Sequence, residues 1–386
     1  MKTSRKDLLA ATMVMATSAI GPGFLTQTTV FTEQLAYNFG FVILLSVVID
    51  IIAQVTIWKA LTFANSPVQQ LAEELMRGLG RFLILAIAFG GLVFNVGNLA
   101  GTGMGVNAMT GMPVIQGTVI SSVVAAVIFY SDNFLPKLDL FMKGMALVMV
   151  SLLVAMVVLA DIDVLKALHF TLMPEKTDVR ATITLVGGTV GGYITFAGAQ
   201  RLLDAGVTGK ANAPQVEKSA YRGILFTGFF RYFLFIGVLS PVLAGLALNP
   251  ENPTASVFSA YFGSRGGILF GMMIWAASIT SVVGATYTSL AFLKDLHPGF
   301  LKYKKIWALV FIAISLFINI LFGKPVSLLV FAGYLNGFIL PLGLGVVLVA
   351  LARNPALREL RISKALQGAA WGVVMLLLYF SVWSLF

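Results

Sequence analysis

Cysteine is absent from this chain, and histidine occurs only twice, at His169 and His297. The absence of cysteine excludes disulfides, thiolate metal sites and thiol nucleophiles. Two histidines leave little for a zinc site or a catalytic triad, and the apolar stretches hold no nucleophile–base pair or cluster of metal ligands. We therefore expect a protein that is not an enzyme and that needs no cofactor.

Charge is also scarce. Only 11% of the 386 residues are charged and 58% are hydrophobic, whereas roughly 25% of the residues of a soluble domain are charged. So few charged side chains cannot cover a water-exposed surface, and most of the chain must face something other than water. The composition predicts an integral protein of the plasma membrane or of a bacterial inner membrane.

Long apolar runs occur throughout the sequence. A helix needs about 20 mostly apolar residues to cross the hydrocarbon core of a bilayer, and continuous runs favour helices over barrel strands, which alternate. The runs predict an all-α protein with a single transmembrane domain over residues 1–386. The eleven predicted spans are Leu8–Tyr37, Gly40–Leu61, Phe82–Ala108, Val114–Tyr130, Leu138–Ala160, Thr182–Leu203, Ala220–Leu246, Gly267–Leu293, Ile306–Phe322, Val326–Leu351 and Ala365–Phe386.

The lysines and arginines predict the orientation of these spans. If the N-terminus is cytoplasmic, 20 of the 26 basic residues lie on the inner side and five lie outside, while Arg231 lies within span 7. Such a bias follows the positive-inside rule and places the C-terminus outside. The net charge of +10 then indicates contact with anionic lipid headgroups rather than with nucleic acid.

Spans 1 and 6 each contain a run that disfavours continuous helix. Span 1 holds Gly21-Pro22-Gly23, and span 6 holds four glycines within residues 187–192. Proline removes a backbone donor, glycine favours unwinding, and unwound backbone at membrane depth must line a cavity or be buried in protein. Paired breaks in two inverted five-span groups are typical of a transporter's midplane site. This pattern predicts a LeuT-like 5+5 fold, with repeats at residues 1–160 and 161–351 and an additional helix at 352–386.

Motifs scattered over five segments resemble the natural resistance-associated macrophage protein (NRAMP) family of divalent-metal transporters. Each motif is short, but their order and spacing agree with the family pattern. The resemblance implies transport of a divalent metal cation by alternating access. The segments that carry it are Val68–Glu73 after span 2, Asn98–Pro113 in span 3, Gly188–Tyr193 in span 6, Ala277–Ser281 in span 8 and Leu328–Pro341 in span 10.

Several positions depart from the residues that, by this resemblance, bind the metal. Family members use the Asp and Asn of an Asp-Pro-Gly-Asn motif in span 1, which is replaced here by Gly21–Phe24. In span 6, Gly191 stands at the position of the family's Met and Tyr193 at that of its His. Gly188, at a third position of this segment, offers only its backbone carbonyl. By the same resemblance, the family's acidic pair in span 3, which is associated with proton movement, is replaced by Asn95 and Asn98. A glutamine of span 10 is replaced by Gly333.

These replacements predict a neutral site. A thioether selects soft metals, whereas a roomier set of carbonyls, hydroxyls and amides suits a hard cation such as Mg²⁺, which keeps several waters. The NRAMP-related magnesium transporters resemble this chain in the same losses. We expect Mg²⁺, or else Mn²⁺, as the cargo, without the usual proton-coupling residues, and a functional monomer in the lipid bilayer. The predicted binding residues are Gly21, Pro22, Gly23, Phe24, Thr26, Gln27, Asn95, Asn98, Gly188, Thr189, Gly191 and Tyr193.

Two opposite charges are predicted near the bilayer centre. Asp50 lies ten residues inside span 2, and Arg231 reaches a similar depth in span 7. Isolated charges are costly there, so each needs a partner or water, and we expect the two to pair. If Asp50 instead faces the break in span 1, it joins Gly188 and Gln27 as a candidate metal ligand.

Two other functions remain open at the level of the sequence. The first is sodium-coupled or uniport transport of a small organic solute on the same fold, with Thr280 and Ser281 as candidate sodium ligands. The second is a non-transporting membrane sensor or partner subunit. The first predicts sodium-driven solute uptake, and the second predicts no flux.

Overall fold

The computed structural model describes residues 20–130, 135–357, 359–360 and 362–384, with the backbone alone described for residues 135–143 and 356. Within these ranges the chain is helical and contains no strand. The helices are α1 (Pro22–Leu35), α2 (Phe39–Ala64), α3 (Val68–Leu75), α4 (Leu79–Thr110), α5 (Val114–Tyr130), α6 (Leu135–Leu159), α7 (Val164–Leu172), α8 (Val179–Thr189), α9 (Ile194–Asp204), α10 (Ala213–Leu243), α11 (Pro253–Leu293), α12 (Gly299–Lys302), α13 (Lys304–Phe322), α14 (Pro325–Arg353) and α15 (Lys364–Trp383).

Each predicted span corresponds to one or two helices of the described chain, and the all-α prediction is confirmed. Spans 1 to 5 correspond to α1, α2, α4, α5 and α6; span 6 is divided between α8 and α9; spans 7 to 11 are α10, α11, α13, α14 and α15. The part of span 1 that precedes residue 20 lies outside the described residues.

Seven helical stretches of the described chain are long and apolar enough to cross a membrane. This number is smaller than eleven for local reasons. Spans 1 and 2 form one helical stretch over Pro22–Ala64, α5 has only 17 residues, and span 6 is divided into two short helices. A further pair, Gly144–Leu159 and Val164–Leu172, is bent by 107°.

The structure also contains helix outside the predicted spans, in α3, α7 and α12 and at the start of α11. The connection between spans 5 and 6 contains α7, whose first turn is capped by Asp163, with its Oδ1 accepting the Lys166 N–H at 2.9 Å. Span 8 extends back to Pro253 across a kink at Gly263, where φ is 65°. The predicted start at Gly267 therefore marks the segment beyond this kink.

Glycines allow the central helices to pack closely. A Cβ on Gly105 of α4 would lie 2.8 Å from the carbonyl oxygen of Gly271 in α11, and a Cβ on Gly271 would lie 2.8 Å from that of Gly105. A Cβ on Gly187 of α8 would overlap the backbone of Gly333 and Gly337 in α14. Small residues let membrane helices approach in this way, and these contacts hold α4 against α11 and α8 against α14.

Candidate functional site

The interruption in span 1 lies at the start of α1. Gly21 is extended, with φ −106° and ψ −170°, and Pro22 is the first helical residue. Proline fits this position because the first N–H groups of a helix have no intrahelical partner. Pro22 packs against α4 at Gly101, where a Cβ would overlap the proline ring. The predicted motif therefore marks the beginning of α1, which is the part of span 1 that the structure describes.

The interruption in span 6 is formed by the four residues between α8 and α9. Val190 N–H and Gly191 N–H both donate to the carbonyl of Val186, at 2.9 and 3.0 Å. Gly192 N–H donates to the carbonyl of Asn336 in α14, at 3.0 Å. The predicted break in span 6 is confirmed, and a neighbouring helix satisfies one of the backbone groups that the break releases.

The Gln27 side chain lies between the two breaks. Its Nε2 donates to the carbonyl of Leu329 in α14 at 3.0 Å. A Cβ on Gly188 would lie 2.5 Å from its Oε1, and a Cβ on Gly333 would lie 2.5 Å from its Nε2. Glycine at both positions leaves room for this amide. The amide from α1 thus fills the space beside position 333, where the family resemblance places a glutamine.

Three buried side-chain oxygens around the start of α1 have no hydrogen-bond partner within the described part of the chain. They are Gln27 Oε1, Thr26 Oγ1 and Ser278 Oγ. Ser278, in α11, lies beside the start of α1, because a Cβ on Gly101 would contact both its Oγ and the Pro22 ring. An unsatisfied buried polar group costs about 1–3 kcal/mol. Neutral oxygens of this kind are ligands for hard cations or for water.

Asp50 and Arg231 face one small cavity. Their side chains are 1% and 2% exposed. The cavity has a volume of about 10 Å³ and is also lined by Ser46, Thr189 and Thr227. Among the described residues, the ion pairs closer than 4.0 Å are Lys59–Glu217 and Lys210–Glu359, so Asp50 and Arg231 share the cavity without a direct bond at that distance.

The comparisons with known proteins decide the family. The family model for natural resistance-associated macrophage protein-like proteins matches residues 12–386. The chain belongs to the NRAMP-like family. Members of this family are membrane transporters and not enzymes, as the composition predicted.

One sequence relative and two solved structures extend this comparison. YcsG, a membrane protein of Bacillus subtilis, is 44% identical over 343 residues, which cover 89% of this chain and 85% of YcsG. The manganese transporter of Eremococcus coleocola has a TM-score of 0.72 at 13% identity and covers 98% of this chain and 86% of its own. MhsT, in complex with L-phenylalanine, has a TM-score of 0.66 at 17% identity and covers 98% of both chains. These structures show that the chain has the LeuT-like fold.

Other predicted site residues of this NRAMP-family chain contact two different helices, α10 and α11. Phe24 lies beneath the Arg231 guanidinium, and Thr189 Oγ1 accepts a bond from Arg231. Tyr193 points towards α11, where its hydroxyl donates to the carbonyl of Ala285 at 3.4 Å. The predicted set is thus spread around the two breaks.

The asparagines of α4 are not both directed at the breaks. Asn95 Nδ2 donates to Ser315 Oγ of α13 at 3.0 Å, so the structure places this side chain against α13. Asn98 is buried in α4. The cavity of Asp50 is lined by residues of α2, α8 and α10, and among the described residues its lining does not include Gly21, Gly23 or Gln27.

Sequence reasoning missed two residues that contribute to this region. Ser278 contributes the unpaired hydroxyl beside Pro22, and the carbonyl of Asn336 holds the break in span 6. Asn336 Nδ2 also donates to the carbonyl of Gly90 in α4 at 3.1 Å. The sequence signal that could have identified Asn336 is that it is a lone asparagine inside an apolar span, because a buried amide there needs hydrogen-bond partners.

Proposed function

We propose that this membrane transporter carries a hard divalent cation by alternating access, with Mg²⁺ as the leading cargo and Mn²⁺ as the second. The observation that carries the proposal is the unpaired Oε1 of Gln27, which is buried between the two breaks and beside Gly188. A cation that enters between the half-helices would find this oxygen and backbone carbonyls released from helical pairing.

The chemistry of the available ligands favours a partly hydrated ion. Within the described residues there is no group of three or more His, Cys, Asp or Glu side chains that could hold a bare metal ion. Amide, hydroxyl and carbonyl oxygens are neutral and hard, and they compensate dehydration less than carboxylates do. Mg²⁺ dehydrates reluctantly and usually keeps several waters, which suits such a site.

The manganese transporter of Eremococcus coleocola supports a divalent cation as cargo, since it shares the fold over almost the whole chain. The site of this chain differs from the family pattern in softness. Gly191 stands at the position of the family's methionine. A soft thioether favours transition metals, so its absence lowers the expected preference for Mn²⁺ over Mg²⁺.

Movement of the two repeats, residues 1–160 and 161–351, would alternate the access to this site. The Gln27–Leu329 hydrogen bond joins α1 to α14 through Nε2, so it leaves Oε1 available to a cation. The breaks themselves carry no titratable side chain except Tyr193, so we propose that uptake runs without the usual proton-coupling residues. Both breaks lie within one chain, and we propose that a monomer is sufficient.

Uptake into proteoliposomes tests this function. Purified protein is reconstituted with an entrapped Mg²⁺ indicator, and Mn²⁺, Ca²⁺ and sodium-driven L-phenylalanine uptake are measured in parallel. We expect saturable Mg²⁺ entry that Mn²⁺ inhibits and that an imposed pH gradient does not drive. In Gln27→Ala, loss of one ligand oxygen lowers the apparent affinity roughly tenfold.

Three results would contradict the proposal. Mn²⁺-selective entry with lumenal acidification would indicate proton-coupled transition-metal transport. Sodium-dependent solute entry without cation flux would indicate an organic-solute transporter. Absence of any flux would favour a sensor or partner subunit.

A further inference from the structure

The guanidinium of Arg231 contacts both broken helices. Its Nη1 donates to Oγ1 of Thr189, the last residue of α8, at 3.0 Å. Its Cζ lies 4.5 Å from the ring centroid of Phe24, the third residue of α1. A cation over an aromatic face is attracted by the ring quadrupole. One side chain from α10 therefore holds the end of one half-helix against the beginning of the other.

This charge lacks a direct counter-ion. Arg231 Nε and Nη2 are buried and have no hydrogen-bond partner in the described ranges, and the same is true of Asp50 Oδ1. Asp50 and Arg231 are the two charged residues that line the cavity of about 10 Å³, together with the hydroxyls of Ser46, Thr189 and Thr227. This volume is close to that of one water, which needs two to four polar partners.

Asp50 compensates the guanidinium across this cavity. Buried charges are costly unless they are paired or solvated, and α2, α8 and α10 bring no other charge into the lining. A single water that accepts from Arg231 and donates to Asp50 would satisfy the unpaired atoms of both. The pair then carries no net charge, although it is Arg231 that contacts Phe24 and Thr189 at the breaks.

We propose that Arg231 is a positioning residue for the two half-helices and that the Asp50–Arg231 pair sets the electrostatic potential of the transport site. This inference rests on the proposed transport of a divalent cation. Removal of the Asp50 charge leaves a positive charge beside Phe24 and Thr189, which repels a cation. Removal of the Arg231 charge leaves a negative charge, which attracts one. The two substitutions change cation affinity in opposite directions.

The test is a set of KM values for Mg²⁺ uptake into proteoliposomes. Asp50→Asn raises KM about tenfold or more, because a divalent ion doubles the Coulomb interaction. Arg231→Gln lowers KM and also lowers the maximal rate, since the contact with Thr189 is weakened. The double variant returns KM to within about threefold of the wild type. Arg231→Lys keeps the charge and the KM, but its maximal rate falls because the planar stack on Phe24 is lost.

A purely structural pair gives a different pattern, in which every variant loses maximal rate and KM stays constant or rises in all of them. That pattern would overturn the electrostatic role. If Asp50→Asn does not fold, Arg231→Gln and Arg231→Lys still test the electrostatic role, because only the first removes the charge and should lower KM. A rise in KM in Arg231→Gln would contradict the proposal.

The Lys59–Glu217 pair provides a matched control. It is a partly buried ion pair that also joins α2 to α10, and Lys59 lies nine residues beyond Asp50, about 14 Å along the helix. Lys59→Gln and Glu217→Gln should leave the KM for Mg²⁺ unchanged. Opposite KM shifts in these variants would show that any charge change in the bundle has the same effect.

Thermal unfolding separates failure of this inference from failure of the proposed function. If the wild type carries no divalent cation, the proposed function fails, and the positioning role is read from stability alone. Arg231→Gln and Asp50→Asn should each lower Tm, and the double variant should lose less than the sum of the two. Additive losses would overturn the coupling between the two residues.

Discussion

At the scale of single residues, the Gln27 side chain requires glycine at position 188, and at position 333 it does so together with Thr184. The Gln27 amide lies between α8 and α14, and a Cβ at either glycine would come within 2.5 Å of it. Neither glycine has a positive φ, so backbone conformation does not require glycine there. The requirement is for space. At Gly188 it applies only while Gln27 is present, whereas at Gly333 a Cβ would also lie 2.6 Å from the carbonyl oxygen of Thr184.

Gly188→Ala tests this requirement. The atoms nearest to the new Cβ all belong to the Gln27 side chain, so the amide must move away from the site. We expect a loss of about 1–3 kcal/mol in stability from overpacking and a fall in Mg²⁺ uptake of roughly tenfold or more. Thermal unfolding and proteoliposome uptake measure the two effects.

The control for this prediction is Gly345→Ala in α14, where a Cβ would have no neighbour within 4 Å. Alanine is about 0.5–1 kcal/mol better than glycine inside a helix, so this variant should be as stable as the wild type or more so. In a Gln27→Ala background, Gly188→Ala should cost little stability. An equal loss in both backgrounds would show that Gln27 is not the constraint.

At the scale of helices, α8 and α14 are held together by backbone contact. A Cβ on Gly187 would overlap the carbonyl oxygen of Gly333 and the backbone nitrogen of Gly337. Unlike the amide of Gln27, backbone atoms cannot rotate away. This contact fixes the position of the span 6 break relative to α14, which also bonds Gly192 through the Asn336 carbonyl.

Gly187→Ala should therefore be more damaging than Gly188→Ala. The added methyl must force α8 and α14 apart, and we expect a loss of more than about 3 kcal/mol, the upper part of the range for overpacked cores. The yield of monodisperse protein and its Tm in detergent measure this loss. A Tm equal to that of Gly188→Ala would mean that the two helices separate easily.

The start of α4 is stabilised by a carboxylate. Glu73 of α3 accepts the N–H of Gly78 at 2.9 Å and the N–H of Gly80 at 3.1 Å. The bond from Gly78 is the main cause that lowers the pKa of Glu73 below its usual 4.5. A carboxylate whose folded-state pKa is depressed contributes stability that is present above its unfolded pKa and is lost as the pH falls through the folded value.

Glu73→Gln should therefore lower Tm at neutral pH, and the difference from the wild type should shrink as the pH falls below about 4.5. Tm measured from pH 7 down to about pH 3 checks this direction, because the folded-state pKa lies below 4.5. Glu33→Gln, which changes an exposed carboxylate of α1, should leave the pH dependence of Tm unchanged. A constant difference between Glu73→Gln and the wild type at all pH values would contradict the capping role.

At the scale of the whole molecule, the absence of cysteine allows a direct test of orientation. Any introduced cysteine is the only thiol in the chain. Lys302 and Lys324 are exposed at opposite ends of α13. With a cytoplasmic N-terminus, Lys302 lies inside and Lys324 outside. A membrane-impermeant maleimide should label Lys324→Cys in intact cells and Lys302→Cys only after lysis.

The parent chain without cysteine should remain unlabelled under both conditions and serves as the control. Labelling of Lys302→Cys but not Lys324→Cys in intact cells would reverse the orientation deduced from the basic residues. Labelling of both in intact cells would mean that α13 does not separate the two sides.

Local sequence was enough to predict the membrane helices and the break in span 6. These features depend on local properties of the chain. Hydropathy identifies the spans, and runs of proline and glycine interrupt them. The span predicted at Val114–Tyr130 has the bounds observed for α5. The sequence also shows directly that the residues at the breaks carry no carboxylate and no thioether group.

Which side chains meet depends on how the helices pack. Gln27 contacts Leu329 across 302 residues, and Asn95 bonds α13 rather than the breaks. The buried faces of membrane helices are as apolar as their lipid faces, so hydropathy does not reveal how each helix is rotated about its axis. That rotation places Arg231 against both Thr189 and Phe24 and places it with Asp50 on one small cavity.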